Sequence, residues 1–537
     1  MANKHIVTVQ QMKVLEAAAN EAGYSFAEMM QSAGSGVANF IDSNFRQSKP
    51  GKNTCFALIG PGNNGGDALV ALTELAKLGW NVSGVLSSSR QDDPLLEAVS
   101  LAGINLMSIA DLKLDRSKLE NFSVIVDGLL GTGVKFPMRE GMQHLFQFVA
   151  ESNTTGIMVS IDCPSGIDCD TAEAAPYAIH AGHTLAIEAV KSGLLAFPAW
   201  SHEGKLHVIP LGFSKTINAM VERAPSILDV ELAAHLLPKR AEDGHKGSFG
   251  RALIVGGSVQ YPGAPSLAAE AALRSGTGLV ECATIPSVQG AIAPNIREAI
   301  WCVLPEREGC ISVNAAGLIL EQGAKADACL IGPGLGDTSS VQDFIAALLA
   351  GSTKPHGVGF VASNNGNRIS SLPEKTVIDA DALRHLSKIK DWESKLPRDT
   401  VLTPHPGEFA ALTGQTIAEV QADRINNATN LAQKSGTTVV LKGAFTVVAG
   451  KGGETWVLPV ATSALAKGGS GDVLAGLICG LMAQGLSGFD AARLGVFIHG
   501  SSGLQAAKKA GQPYTVTAGD LIGWFPKIFA KLNEQAG

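Results

Sequence analysis

The run Gly468-Gly469-Ser470-Gly471-Asp472 sets a glycine-rich turn against an apolar stretch reaching Met482, with one carboxylate, Asp472, at the junction. Glycines admit positive φ and close backbone approach, and the free N–H groups at the start of a helix favour an anion, phosphate above all. A carboxylate beside phosphate is repelled unless it has work there, such as taking the proton of a hydroxyl that attacks phosphorus. The other reading of Asp472 is an N-cap aspartate ahead of a buried helix, which needs no ligand. In the first half of the chain, PGNNGGD places Asn63, Asn64 and Asp67 in a glycine turn, DGLLGTG opens on Asp127, and DCPSGID holds Asp162, Ser165 and Asp168. A plain phosphate turn uses bare backbone, so the oxygen-bearing Asn63, Asn64 and Asp67 point instead to a cation or a polar ligand above the turn. Asn64, Asp127 and Ser165 offer hard oxygens suited to an alkali or alkaline-earth ion. Simple loop capping by Asp127 and Asp162 is the structural alternative.

These groups need elements to position them. The apolar run at residues 54–60 predicts a buried strand, residues 68–78 a helix, and residues 82–86 the next strand, which together begin a βαβ unit. Ahead of it, residues 9–41 carry a helical period with Met29, Met30, Ala33 and Val37 on one face. Gly60, Gly62 and Gly65 satisfy the dinucleotide fingerprint, but the second strand ends in Ser87 to Arg90, where an NAD dehydrogenase offers an acid to the ribose. Ordinary hydride transfer is disfavoured. Asp127 and Asp162 each end an apolar run, and in a parallel sheet such ends share one ligand-binding edge.

The second half repeats this organisation with different chemistry. A strand at residues 251–258 and a small-residue helix at 264–276 are followed by strands ending in GPGLG, in DADAL with Asp379 and Asp381, in TPHPGE with His405 and Glu408, and in KGAFT with Lys442. Lys442 reads as a phosphate or ribose contact or as a solvated strand-end lysine. His405, between two prolines, is held in a fixed direction that suits an orienting contact, and Glu408 suits Mg²⁺ bound through water. No P-loop motif occurs. Residues 214–224, polar and without period, mark the expected boundary between a domain at 1–220 and one at 221–537.

Composition narrows the class. The 537 residues predict roughly two to four domains. Charged residues at 17%, aromatics at 5% and 61 glycines suit α/β domains with many tight turns. A net charge of −7 argues against a nucleic-acid surface or a polybasic membrane anchor. The N-terminus lacks an apolar signal core and carries Glu16 and Glu21, so a cytoplasmic protein is expected. The longest apolar run falls short of the ~18 residues of a spanning helix. Eight scattered cysteines without a C-x-x-C pair read as core thiols, and His180 with His183 reads as structural rather than as a metal pair.

GNNGGDALVA, DGLLGTG and DCPSGID together resemble the NAD(P)H-hydrate epimerase domain. That resemblance implies binding of hydrated nicotinamide dinucleotide at Asn63, Asn64, Gly65, Gly66 and Asp67, at Gly131, Thr132, Gly133, Val134, Lys135, Phe136 and Pro137, and at Asp162, with K⁺ at Asn64, Asp127 and Ser165. The segment after GTG departs from the family pattern: VKFP stands where an arginine and proline are common, and Lys135 replaces that contact in part. HKGSFG, GGSVQYPGAP, GPGLG, DADAL, TPHPGE, KGAFT and GGSGDVLAG resemble the ADP-dependent NAD(P)H-hydrate dehydratases, a branch of the ribokinase-like fold. The resemblance implies hydrate contacts at Ala264, at Gly334 or Gly336, at His405 and at Asp472, and AMP contacts at Lys442, Gly443, Ala444, Phe445, Thr446 and Gly471.

The expectation is therefore a Rossmann-like domain joined to a ribokinase-like α/β domain, repairing NADHX and NADPHX with K⁺, Mg²⁺ and ADP. Asp162 is the expected acid/base or ring-orienting group of epimerisation and Asp472 the base of dehydration, in a homo-oligomer without nucleic-acid or membrane partners. The rival is a vitamin or sugar kinase of ribokinase-like fold with a non-catalytic N-terminal nucleotide module.

Overall fold

The computed structural model describes residues 4–48, 51–90, 93–109, 111, 119–138, 140–152, 154–351 and 371–536. The chain divides into two compact units, Met1–Ser226 and Ile227–Gly537. The first is built on a seven-stranded parallel sheet in the order Asn105–Ser108, Asn81–Leu86, Thr54–Ile59, Val124–Gly128, Ile157–Ile161, His183–Ile187, Lys205–Ile209. The chain winds outward from Thr54–Ile59 in one direction and then restarts at Val124–Gly128 in the other, so strand order reverses between these two neighbours. A crevice opens at such a reversal, outside the carboxyl ends of the strands. Backbones meet closely there: a Cβ on Gly60 would stand 1.8 Å from the Leu129 carbonyl oxygen.

The central strands Thr54–Ile59 and Val124–Gly128 are buried along almost their whole length, whereas the edge strand Asn105–Ser108 is polar and exposed at both ends. Phe26–Phe45, N-capped by Ser25 in a capping box with Glu28, buries Met29, Ala33, Val37, Ala38 and Ile41. Met30, expected on that same face, is only partly buried and meets Gly66, where a Cβ would come within 2.5 Å of its sulfur. Ile217 and Val221, from the segment read as a boundary, pack in this unit's core.

One helix starts earlier than its apolar pattern predicts. It spans Asn63–Lys77 and not 68–78, because Gly62, in extended conformation, is its N-cap and the polar Asn63, Asn64 and Asp67 form its first turns. Asn64, Gly65, Gly66 and Asp67 are buried. Hydrophobic periodicity is blind to a helix end whose buried residues are polar.

The second unit has a ten-stranded mixed sheet in the order Ser226–Ile227, Thr455–Val457, Val447–Ala449, Thr438–Leu441, Asp399–Leu402, Lys375–Ile378, Ala328–Ile331, Arg251–Val255, Leu279–Thr284, Ile300–Val303. Strands from Thr438–Leu441 to Ile300–Val303 run parallel; Val447–Ala449 and Thr455–Val457 add an antiparallel edge. Strand order reverses between Arg251–Val255 and Ala328–Ile331, and the GPGLG loop closes on it, with Gly257 N donating to Pro333 O at 2.8 Å.

Helix Ser470–Ala483 is buried at every residue from Val473 to Ala483. It lies against the alanine-rich helix Gly263–Arg274 so closely that a Cβ on Gly476 would stand 2.1 Å from Ala268 O. Small residues on both helices permit that approach. No helix among the described residues is long and apolar enough to cross a membrane. The eight cysteines are unpaired, and all but Cys302 are buried.

Candidate functional sites

In the first unit the reversal point holds a cavity of about 860 Å³ lined by Asn63, Asn64, Asp67, Gly131, Thr132, Gly133, Asp162 and Lys191 among others. Asp162 follows strand Ile157–Ile161 at φ +64, a conformation uncommon outside glycine. It is held there by its own side chain, whose Oδ1 accepts from Ile187 N at 3.1 Å and from the Lys191 ammonium. Lys191 is 1% exposed and donates also to Ile187 O at 2.9 Å. Burial alone would lower its pKa, but the Asp162 carboxylate outweighs that and raises it. Burial, reinforced by the charges of Asp162 and Glu16 and opposed by Lys191, drives Asp67 well above the usual carboxylate range.

Asn64, Asp127 and Ser165 come together beside this cavity. Ser165 Oγ donates to Asp127 Oδ1 at 2.6 Å, and both Ser165 Oγ, at 3.1 Å, and Asn64 Nδ2, at 2.9 Å, reach the Leu130 carbonyl. Asp127 is fully buried and accepts hydrogen bonds from neutral donors: Ser160 Oγ, Ser165 Oγ, and the backbone N–H groups of Ser165 and Leu129. Burial raises its pKa, and those hydrogen bonds oppose the rise. A buried carboxyl with neutral partners, ringed by hydroxyl and carbonyl oxygens, fits a weakly charged cation.

Arg90 fills the place where an acid would meet a ribose. Its guanidinium donates to Gly60 O at 2.6 Å and Gly62 O at 3.0 Å and pairs with Asp93 at 2.6 Å, which ties the glycine turn to the next strand's end. His180 and His183 do not converge: His180 stacks on His202 and His183 on His207.

In the second unit the N-cap of helix Ser470–Ala483 is Gly469 at φ +90, and Asp472 stands in the first turn. Asp472 is therefore not the N-cap. Burial pushes it up to about 7, with the Asp379 charge adding to the rise and Lys442 opposing it. Lys442 is no solvated strand-end lysine: its Nζ lies 2.7 Å from Asp379 Oδ1 and 3.8 Å from Glu408 Oε2. A Cβ on Gly471 would stand 3.1 Å from that ammonium and 3.9 Å from Asp379 Oδ2, so the glycine turn opens directly onto the pair. Asp379 Oδ2 is buried without a hydrogen-bond partner. The carboxylates of Asp379 and Glu408, one with a spare oxygen, fit a hard divalent cation completed by water or phosphate.

His405 caps helix Pro406–Thr413, its Nδ1 accepting from Gly407 N at 3.0 Å and Glu408 N at 3.3 Å. That places the ring proton on Nε2, which faces Glu408 Oε1 at 3.3 Å. Burial pushes Glu408 up to about 7, with Lys442 opposing and Asp379 adding to the shift. Around the GPGLG loop, Gly336 N donates to Asp381 Oδ2 at 2.9 Å, and His385 Nε2 lies 2.9 Å from Gly336 O. A Cβ on Gly334 would come within 3.0 Å of Ala264 Cβ, so Ala264 and this loop share one wall. The loop from Lys442 to Thr446 passes Gly443 at φ +136 and Phe445 at φ +54, and Arg424 donates to the carbonyls of Leu441 and Lys442 at 3.0 and 3.1 Å.

Sequence reasoning missed Lys191, and it read Asp379 as part of a motif without giving it a place in the site. Asp379 follows the end of strand Lys375–Ile378, so the rule that found Asp127 and Asp162 reaches it, whereas Lys191 lies in the short strand Val190–Lys191 of a separate two-stranded sheet, which that rule does not cover. It missed also the buried His499, whose Nε2 lies 3.0 Å from Ser470 O beneath the glycine turn.

Two α/β units, each with glycine loops and clustered carboxyls beyond the carboxyl ends of parallel strands, define a two-site α/β enzyme. Residues 26–193 match the family model described as YjeF-related protein N-terminus, and residues 252–527 match that of NAD(P)H-hydrate dehydratase. The chain is 33% identical to the bifunctional NAD(P)H-hydrate repair enzyme Nnr of Moorella thermoacetica over 99% of its own length and 98% of the relative's. It is likewise 33% identical to that of Escherichia coli, over 90% and 86%. An ADP/ATP-dependent NAD(P)H-hydrate dehydratase from Bacillus subtilis, co-crystallised with ATP and Mg²⁺, aligns with 57% of this chain and 98% of its own at 30% identity and a TM-score of 0.47. The chain belongs to the family of bifunctional NAD(P)H-hydrate repair enzymes. It epimerises hydrated NADH and NADPH and dehydrates the hydrate.

Proposed function

We propose that the two activities divide between the units, with Asp162 the acid/base of epimerisation at carbon 6 of the reduced nicotinamide ring and Asp472 the base of dehydration. The observation that carries the second assignment is the gathering of Asp472, Lys442, Asp379 and Glu408 at the glycine turn. Gly469 and Gly471 leave bare backbone N–H groups for the terminal phosphate of ADP. Asp472 takes the proton of the C6 hydroxyl as that oxygen attacks phosphorus and AMP departs. The C6–O bond then breaks, phosphate leaves with its electrons, a proton is lost from C5, and the ring double bond re-forms. Lys442 neutralises phosphate charge, and its pairing with Asp379 keeps the ammonium at the turn. His405, Ala264 and the Gly334–Gly336 loop hold the hydrate; the loop from Lys442 to Thr446, with Gly471, holds the AMP moiety.

Asp379 and Glu408 would hold Mg²⁺, which when bound screens the negative charge of the phosphates. In the first unit, Asn63 to Asp67 and the loop from Gly131 to Pro137 bind the dinucleotide, and Asn64, Asp127 and Ser165 would hold K⁺, whose charge would offset that of the buried Asp127 carboxyl. The S epimer is the one dehydrated, so the first unit supplies the second.

The test is to supply mixed hydrate epimers with ADP and Mg²⁺ and follow the reduced-cofactor absorbance together with AMP and phosphate. Full recovery of both epimers with one AMP per cofactor is expected. A stable phosphorylated product without recovery of absorbance would make the second unit a kinase.

A further inference from the structure

One wall of the first unit's cavity comes from helix Val9–Glu21, and that wall carries Glu16. The helix is fixed to the reacting groups by hydrogen bonds. Strand Ile6–Val7 pairs in parallel with Val190–Lys191, setting Val7 opposite Lys191. Thr8 caps the helix in a capping box with Gln11, and Val9 N donates to Asp170 Oδ1 at 2.8 Å. The segment bearing Glu16 is thus tied both to the strand bearing Lys191 and to the loop that follows Asp162. This helix lies outside residues 26–193, the part of the unit that the family model matches.

Glu16, Asp67 and Asp162 line the same cavity with Lys191, and Lys13 lies on the helix wall. Lys191 is already committed to Asp162. Burial and the neighbouring carboxylates push both Asp67 and Glu16 towards their neutral forms, while Lys191 opposes both shifts. Asp67 is 8% exposed in the first turns of its helix, whereas Glu16 is only half-buried and reaches the open cavity. Burial raises Glu16, with Lys191 opposing, Asp162 adding and Lys13 opposing.

We propose that Glu16 is a further catalytic residue of the epimerisation, exchanging a proton with the C6 oxygen of the hydrate from the helix wall while Asp162 does so from the sheet edge. The proposal rests on the reading of Asp162 as acid/base. In one direction the Glu16 carboxylic acid protonates the C6 hydroxyl, the C6–O bond breaks and water leaves, and the N1 lone pair forms the C6=N1 iminium. A water then adds to the opposite face of C6, Asp162 accepts its proton, and the iminium pair returns to N1. One water leaves and one enters, and one proton passes from Glu16 to Asp162; after each turnover Asp162 loses that proton to the water of the open cavity and Glu16 regains one from it. Lys191 is the positioning residue that holds the Asp162 side chain at the cavity.

The full chain is tested as wild type, Glu16→Gln, Glu16→Asp and Asp162→Asn. Conversion of the purified R epimer is followed by NMR across pH, with NADPH binding and the thermal midpoint measured on each variant. Glu16→Gln is expected to lose ~100-fold to ~10,000-fold in kcat with NADPH binding retained, to lose one limb of the pH profile, and to be partly rescued in Glu16→Asp. Wild-type kcat and pH profile in Glu16→Gln, beside a dead Asp162→Asn, would remove Glu16 and leave Asp162 in its role. Near-normal turnover in Asp162→Asn would instead overturn the reading beneath it. A loss in Glu16→Gln that tracks a fall in NADPH binding and midpoint, unrescued by aspartate, makes Glu16 a structural residue and overturns the proposal.

Discussion

The Lys442 ammonium lies 2.7 Å from Asp379 Oδ1, and the two side chains are 17% and 1% exposed. Burial alone would lower the lysine's pKa; Asp379 and Glu408 together hold it raised. Such a pair contributes little net stability while intact, but removing one member strands the other. Lys442→Met leaves the Asp379 and Glu408 carboxyls without their cation, and a loss of about 3 to 5 kcal/mol is expected. Differential scanning calorimetry of the ligand-free chain checks this. A midpoint equal to that of wild type would mean the ammonium does not hold those carboxylates.

Removal of K⁺ is the test of the oxygen cluster in the first unit. Asn64, Asp127 and Ser165 supply one charge and several neutral oxygens, too few charges for a divalent ion and enough for an alkali cation. Exchanging K⁺ for tetramethylammonium is expected to slow epimerisation and to leave dehydration of the S epimer unchanged when Mg²⁺ is kept. Equal epimerisation rates in the two salts would take the ion out of the site.

Glu203 provides a pH-dependent stability free of catalysis. It is 0% exposed, both carboxyl oxygens lack a hydrogen-bond partner, and burial raises its pKa from 4.5 to about 9. Because the folded value lies above the unfolded one, the stabilisation from the protonated form is complete below 4.5 and is lost as pH rises through about 9. The slope approaches about 1.4 kcal/mol per pH unit within that window. Glu203→Met, similar in volume and unable to ionise, is expected to raise the first unit's midpoint at pH 8.5 far more than at pH 5. An equal shift at both pH values would show that the carboxyl does not titrate in this window.

Legibility followed the kind of signal each residue leaves. Asp127 and Asp162 stand where apolar runs stop, with Ser165 just beyond, and an apolar run and its end survive in a single sequence. Arg90 could be read as an absent acid but not as the clamp on Gly60 and Gly62, because its partners are carbonyl oxygens about 30 positions away that carry no side-chain identity. Lys191 was hidden for a related reason: its partner Asp162 lies in a separate strand-end loop, and pairing follows strand order. The start of helix Asn63–Lys77 escaped because its buried face begins with Asn64, Gly65, Gly66 and Asp67, which look like a loop to any hydrophobic period. The close contact of Gly476 with Ala268 left a readable trace, since small residues in two helical runs announce a near approach without naming the partner.

Asp472 separates a structural from a chemical role most sharply. Since Gly469 is the N-cap, replacing Asp472 removes no cap, and the ordinary loss of about 0.5 to 2 kcal/mol for a lost cap is not expected. Burial works against its ionised form, so Asp472→Asn should leave the thermal midpoint at pH 8 unchanged or raised. A general base must be deprotonated to act, and a group pushed up to about 7 is half-ionised there, so wild-type dehydration is expected to rise with pH through about 7 and then level. Below that point Asp472 carries the proton it would need to accept. Asp472→Asn is expected to lose ~100-fold to ~10,000-fold in dehydration, to lose this rising limb, and to bind ADP nearly as wild type does. Epimerisation, carried by residues of the other unit, should be untouched. The measurement is kcat for S-hydrate dehydration between pH 5.5 and pH 9 in ~1-unit steps or finer, beside calorimetric ADP binding, a spacing set by the ~1-unit width over which a single group titrates. Turnover near wild type with a lowered midpoint would return Asp472 to a structural part, and the base would then have to be sought at Glu408, pushed up to about 7 and 3.8 Å from the Lys442 ammonium.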